Sequence, residues 1–128
     1  MNCQRWAQLF FAVDMSALAG FYADVLEIGI VAREVDRVVL ESADFLLTVH
    51  AIPHAIACQI HIDSPPVIRE STPIKLCFPV ESISATRKRA LATGGEVFPD
   101  ERAWQNSRFR ACDGVDPEGN VFQVREAR

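Results

Sequence analysis

Apolar and polar positions change period several times along the chain, and each change marks an element. Residues 8–13 (QLFFAV) form a short apolar run that reads as a strand. The period then lengthens: Leu18, Phe21, Tyr22, Val25 and Leu26 fall at helical spacing, and Asp14 stands where a carboxylate accepts the first free amide protons of a helix over 15–26. Gly29 is placed to end that helix. Three β-rich runs follow at 30–35, 38–41 and 45–52, split by Asp36-Arg37 and by Ser42-Ala43-Asp44. The first half therefore reads βαβββ.

Residues 53–73 hold four prolines and no clear period, which predicts a connection over the surface with one short strand around 58–62. The pattern then restarts. Residues 74–80 are a strand, Ser82 caps a helix running through Ile83, Ala90 and Leu91, and Gly94-Gly95 stops it by supplying positive backbone angles. Short strands follow at 96–98, 109–112 and 121–125, the last two joined by the turn signal Asp116-Pro117-Glu118-Gly119-Asn120. This half is also βαβββ. The halves superpose when Val13-Asp14 is laid on Val80-Glu81, and neither is large enough to hold a core alone. The expectation is one domain over 1–128, with module one at about 6–52, the connection at 53–73 and module two at about 74–126.

Side chains alternate across a strand, so each strand sorts into two faces. Leu9, Phe11 and Val13 oppose Gln8, Phe10 and Ala12; Leu47 and Val49 oppose Thr48 and His50. In module two, Ile74, Leu76, Phe78 and Val80 oppose Lys75, Cys77 and Pro79, while Phe122 and Val124 oppose Val121, Gln123 and Arg125. The first-named face of each strand is fully apolar and is expected to pack on the helices. The other face gathers Gln8, Thr48, His50, Lys75 and Gln123 among Phe10, Cys77, Pro79 and Val121, the mixed lining of a small-molecule cavity.

Composition narrows the classes. The chain has 128 residues, 49% hydrophobic and 23% charged, with a net charge of -4, which excludes disorder and gives no general field for a phosphate backbone. Arg87-Lys88-Arg89 is the one short basic tract and reads as the solvated face of the second helix, so no nucleic-acid partner is expected. Residues 45–62 lack Asp, Glu, Lys and Arg, yet three histidines and Pro53 make them a strand and loop rather than a membrane span. Cys3, Cys58, Cys77 and Cys112 lie far apart with no zinc spacing and read as reduced thiols. With Asp14 interrupting the first apolar run, the expected compartment is the cytoplasm.

Three features together resemble the vicinal oxygen chelate superfamily, which contains glyoxalase I, bleomycin-resistance proteins, fosfomycin-resistance proteins and extradiol dioxygenases. They are the paired βαβββ modules, the segment FFAVDMSALAGFYADVLEIG at 10–29, and DPEGNVFQV at 116–124. The resemblance covers nearly the whole chain. It implies an α+β fold in which two βαβββ modules form a curved mixed sheet around a cavity, with helices on the outer face, and it implies a homodimer.

Metal-dependent members carry His, Gln or Glu on the first strand of each module, the fourth strand and the last strand. Carried over, those positions are Gln8, Lys75, Thr48 (or Leu47 in the alternative register) and Gln123. That set offers no negative charge and one positive charge, so no metal or other cofactor is expected. His50 shares a face with Thr48 and is the residue that would rescue a metal site, although a lone strand histidine is more often hydrogen-bonded in a pocket or core. His50 and His54 do not form a helical ligand pair, because Pro53 stands between them. His61 belongs to the connection.

Lys75, with no carboxylate partner on the four sorted strands, is expected to seek a ligand anion. The candidate ligand-binding set is Gln8, Phe10, Thr48, His50, Lys75, Cys77, Trp104 and Gln123, with Trp104 as a lid aromatic from the polar run 100–108 and Cys77 as a candidate nucleophile beside Lys75. The leading expectation is a metal-independent protein binding an anionic, mostly apolar small molecule. The alternatives are a metal-dependent lyase, isomerase or dioxygenase with His50 and Glu41 or Asp113 as ligands, and a regulatory dimerising subunit.

Overall fold

The computed structural model describes residues 5–128; Cys3 lies outside them. Module one runs β1 (Trp6–Ala12), α1 (Met15–Leu26), β2 (Gly29–Arg33), β3 (Arg37–Glu41) and β4 (Phe45–Ala51). After a short helix α2 (His54–Ala57), module two runs β5 (Leu76–Val80), α3 (Ile83–Ala92), β6 (Glu96–Val97), β7 (Trp104–Gln105), β8 (Phe109–Val115) and β9 (Val121–Ala127). The fold is α+β with two mixed sheets. Strand order is β1-β4-β3-β2 in one and β5-β9-β8-β6 in the other, with β7 on β8. The first strand of each module is parallel to its last, β1 to β4 and β5 to β9, and the remaining pairs are antiparallel.

Both helices begin where the sequence places a cap. The Asp14 carboxylate accepts from the Ala17 amide at 3.0 Å and the Ser82 hydroxyl from the Ala85 amide at 3.1 Å. Helix α1 ends at Leu26, as the spacing predicts, but its left-handed cap is Glu27 at φ 53, and Gly29 instead opens β2. At the end of α3, Gly94 has φ 91, and the Phe21 ring leaves no room for a Cβ on Gly95.

Helices α1 and α3 pack on each other and on one face of each sheet, so the two modules share a core. Its centre is aromatic. Tyr22 lies 5.0 Å from Phe10, 5.1 Å from Phe21 and 5.9 Å from Phe78, ring centre to ring centre, and Phe21 lies 5.8 Å from Phe122. Neither module encloses this cluster alone, as the size of the halves requires.

Three sequence expectations change. The connection forms α2 rather than a strand at 58–62: Pro53 precedes its first turn, where a missing N–H costs nothing, and His50 stays in β4, apart from this helix, as Pro53 predicts. Strand β7 appears within the polar run, and β8 extends to Val115. On β1 the two faces are exchanged. Ala12 is fully buried and Phe10 packs on Tyr22, whereas Leu9 and Phe11 stand 55% and 59% exposed on the side away from α1. Both faces of β1 are apolar, so alternation alone does not say which one the helix covers.

Candidate functional site

Each sheet has one face under the helices and one open face, and the candidate residues divide between them. On β4, Leu47 and Val49 are buried while Thr48 and His50 lie on the open face. The parallel register sets Leu9 beside Thr48 and Phe11 beside His50. The Phe11 and His50 rings are 5.6 Å apart. His50 Nδ1 contacts the Ala51 carbonyl at 2.8 Å, and its Nε2 lies 3.6 Å from Asp36.

Module two carries a connected polar network on its open face. Lys75 Nζ donates to Asp113 Oδ2 at 2.6 Å. Gln123 Nε2 donates to Asp113 Oδ1 at 3.1 Å, and Gln123 Oε1 accepts from Arg125 Nε at 2.8 Å and from the Cys77 thiol at 3.6 Å. The Arg125 guanidinium lies 4.4 Å from the centre of the Phe109 ring, which meets Trp104 edge-on at 5.6 Å. Gln123 is 5% exposed and Trp104 47%, so the network is rooted in the sheet and its aromatic rim reaches solvent.

This arrangement corrects the expectation for Lys75, which has a carboxylate partner in Asp113. Antiparallel register across the 116–120 turn sets Asp113 opposite Gln123 and Ala111 opposite Arg125. Counting outward from that turn was the signal that would have found Asp113, and with it the importance of Arg125 and Phe109.

Gln8 and Phe10 do not join the network. They line a separate cleft of about 330 Å3 at the module junction, with Tyr22, Leu76, Asn120 and Phe122. Gln8 Oε1 is buried there without a hydrogen-bond partner among the described residues. The reason is a one-residue slip in the repeat. The observed caps, Asp14 and Ser82, align the modules one position away from the Val13–Val80 match and set Ala7, not Gln8, opposite Lys75.

A divalent cation does not fit the residues present. Ala7 brings no donor, the Lys75 ammonium is held by Asp113, and both ends of the Gln123 amide are engaged. Among the described residues, no group of three His, Cys, Asp or Glu side chains is placed to hold a metal.

The DPEGN segment joins the modules beneath the site. Asp116 Oδ2 accepts from the Tyr22 hydroxyl at 2.8 Å, and Asp116 Oδ1 accepts from the Glu118 and Asn120 amides at 2.9 and 3.0 Å. Glu118 accepts from the Val13 and Asp14 amides at 2.9 and 2.8 Å, tying this turn to the entrance of α1. Gly119, at φ 91, sits so close to the Val67 carbonyl that a Cβ has no space. Burial pushes the Asp116 carboxyl above its ordinary range against the downward pull of its hydrogen bonds. Burial, followed by the Asp116 charge and hydrogen bond, holds the Tyr22 hydroxyl well above its usual value.

A family model described as "Glyoxalase-like domain" matches residues 8–125. The chain belongs to the glyoxalase-like family. Its solved structural neighbours lie in the glyoxalase, bleomycin-resistance and fosfomycin-resistance superfamily. A glyoxalase/bleomycin resistance protein/dioxygenase family enzyme from Burkholderia phytofirmans PsJN superposes with TM-score 0.68 at 18% identity, covering 95% of this chain and 97% of that one. A bleomycin-binding protein solved with bleomycin gives 0.60 at 17%, covering 99% and 100%. The fosfomycin resistance protein of Mesorhizobium loti gives 0.66 at 10%, covering 100% and 94%. These likenesses establish the shared fold. No curated protein matches significantly. As a member of the glyoxalase-like family, this chain has the motif segments at 10–29 and 116–124 in structural roles, the first as β1 and α1 and the second as the clamp between modules.

Proposed function

We propose that this glyoxalase-like protein is a metal-independent binder of an anionic, mostly apolar small molecule, held against the open face of module two. The observation that carries the reading is the Lys75–Asp113–Gln123–Arg125 network beside Phe109 and Trp104. It combines fixed polar groups with an apolar wall, the composition of a small-molecule site. It also places an ammonium–carboxylate pair where a metal-dependent relative would need anionic or imidazole donors. The neighbour solved with bleomycin supports a ligand-binding rather than a purely structural role for this fold.

The same reading includes a homodimer in the cytoplasm, without a nucleic-acid partner. Leu9 and Phe11 form an exposed apolar pair on the open face of module one, of the kind a second copy covers. No helix among the described residues is long and apolar enough to cross a membrane. The net charge of -4 opposes phosphate-backbone binding.

Elemental analysis of the protein purified without chelator tests the metal-independent part. The expected result is no stoichiometric zinc, nickel, iron or manganese. One equivalent of metal per chain, lost on His50→Ala, would overturn the reading in favour of a metal-dependent enzyme.

A further inference from the structure

We infer that Arg125 is the residue that selects the ligand's anionic group, and that it selects a planar carboxylate, with Lys75 acting only to neutralise Asp113. The inference rests on the small-molecule reading above and assigns its recognition chemistry.

Charge on the open face of module two comes from Lys75, Asp113 and Arg125. The first two cancel across a 2.6 Å contact. Arg125 makes no ion pair among the described residues, so its guanidinium supplies the remaining positive charge. Its orientation is fixed twice, by Nε donating to Gln123 Oε1 at 2.8 Å and by its position over the Phe109 ring. The amide of Gln123 is fixed in turn, because its other end donates to Asp113. With Nε occupied, the two terminal nitrogens form the free edge, a planar fork that matches the two oxygens of a carboxylate. Trp104, edge-on to Phe109 and half-exposed, extends the wall along which an aromatic or aliphatic body would lie. In this arrangement Lys75 keeps the unpaired charge of Asp113 from opposing an incoming anion, and Asp113 in turn orients the amide that aims Arg125.

Trp104 reports occupancy once the exposed Trp6 is replaced, since the chain has two tryptophans. In a Trp6→Phe background, fluorescence titration compares 1-naphthoate with 1-naphthamide, which share a body and differ in the anion. Naphthoate is expected to quench saturably and to bind at least ten times more tightly than the amide. Arg125→Gln should weaken naphthoate by about 10- to 100-fold and leave the amide unchanged, while Arg125→Lys should recover only part of the loss. Lys75→Met should also weaken naphthoate by exposing Asp113, and adding Asp113→Asn should restore it. Failure of that double variant to recover would show that Lys75 contacts the anion itself and would overturn its assignment as a neutraliser. Equal binding of acid and amide, unchanged in Arg125→Gln, would overturn the role of Arg125 and the anionic character of the ligand, while leaving small-molecule binding on the open face of module two intact. Absence of saturable quenching by either compound would overturn both for this ligand class.

Discussion

Tyr22 and Asp116 belong to different modules, and the 2.8 Å bond between them lies inside the shared core. Removing the donor with Tyr22→Phe leaves a buried carboxylate with one hydrogen bond fewer, a loss of about 1–3 kcal/mol near neutral pH. The sign of its pH dependence follows from the raised carboxyl pKa. Below the ordinary unfolded value of 3.8, Asp116 is protonated in both states and contributes no pH-dependent term. As pH rises through that value, the unfolded chain releases its proton first, and stability falls until the folded carboxyl has ionised as well. Because the Tyr22 hydrogen bond pulls this pKa down, Tyr22→Phe moves it further up and enlarges the fall. Denaturant unfolding should therefore show a smaller gap between wild type and Tyr22→Phe at about pH 3 than at about pH 7. An equal gap at both would mean that the hydroxyl does not bond the ionised carboxylate.

At the scale of elements, strand β1 separates what the sequence could express from what it could not. Helix α1 was legible because its five apolar residues recur at one spacing and Asp14 caps it. The faces of β4, β5 and β9 were legible because each sets apolar against polar side chains. Strand β1 sets Leu9 and Phe11 against Phe10 and Ala12, so only the packing of α1 decides between them. The match of Val13 with Val80 then carried the one-residue slip to Gln8. Much of the site was hidden for a related reason: Lys75, Cys77 and Gln123 were visible as one sheet face, with Lys75 now just before β5, but their partner Asp113 lies on β8 and needs the hairpin register to be seen. The observed faces predict that Phe10→Ala costs about 2–4 kcal/mol through lost core contacts, while Phe11→Ala stays within about 0.5 kcal/mol. Thermal unfolding of dilute protein checks this, and a larger cost at Phe11 would reverse the assignment.

For the whole molecule, the helices turn inward on a shared core and leave the two open sheet faces without a helix layer. A second copy of the chain would cover Leu9 and Phe11, so Phe11→Asp should shift light scattering at micromolar concentration from dimer to monomer while keeping the native circular dichroism. A monomer in the wild type would remove the proposed assembly but not the polar network within one chain. In the proposed site, the organic ion pair of Lys75 with Asp113 would stand in place of a metal and support ligand binding. Titration calorimetry of 1-naphthoate into protein stripped with chelator, and again after addition of zinc, nickel, iron or manganese, tests it most directly. The predicted result is one affinity in all samples. Binding that vanishes on stripping and returns with a single metal would contradict the claim.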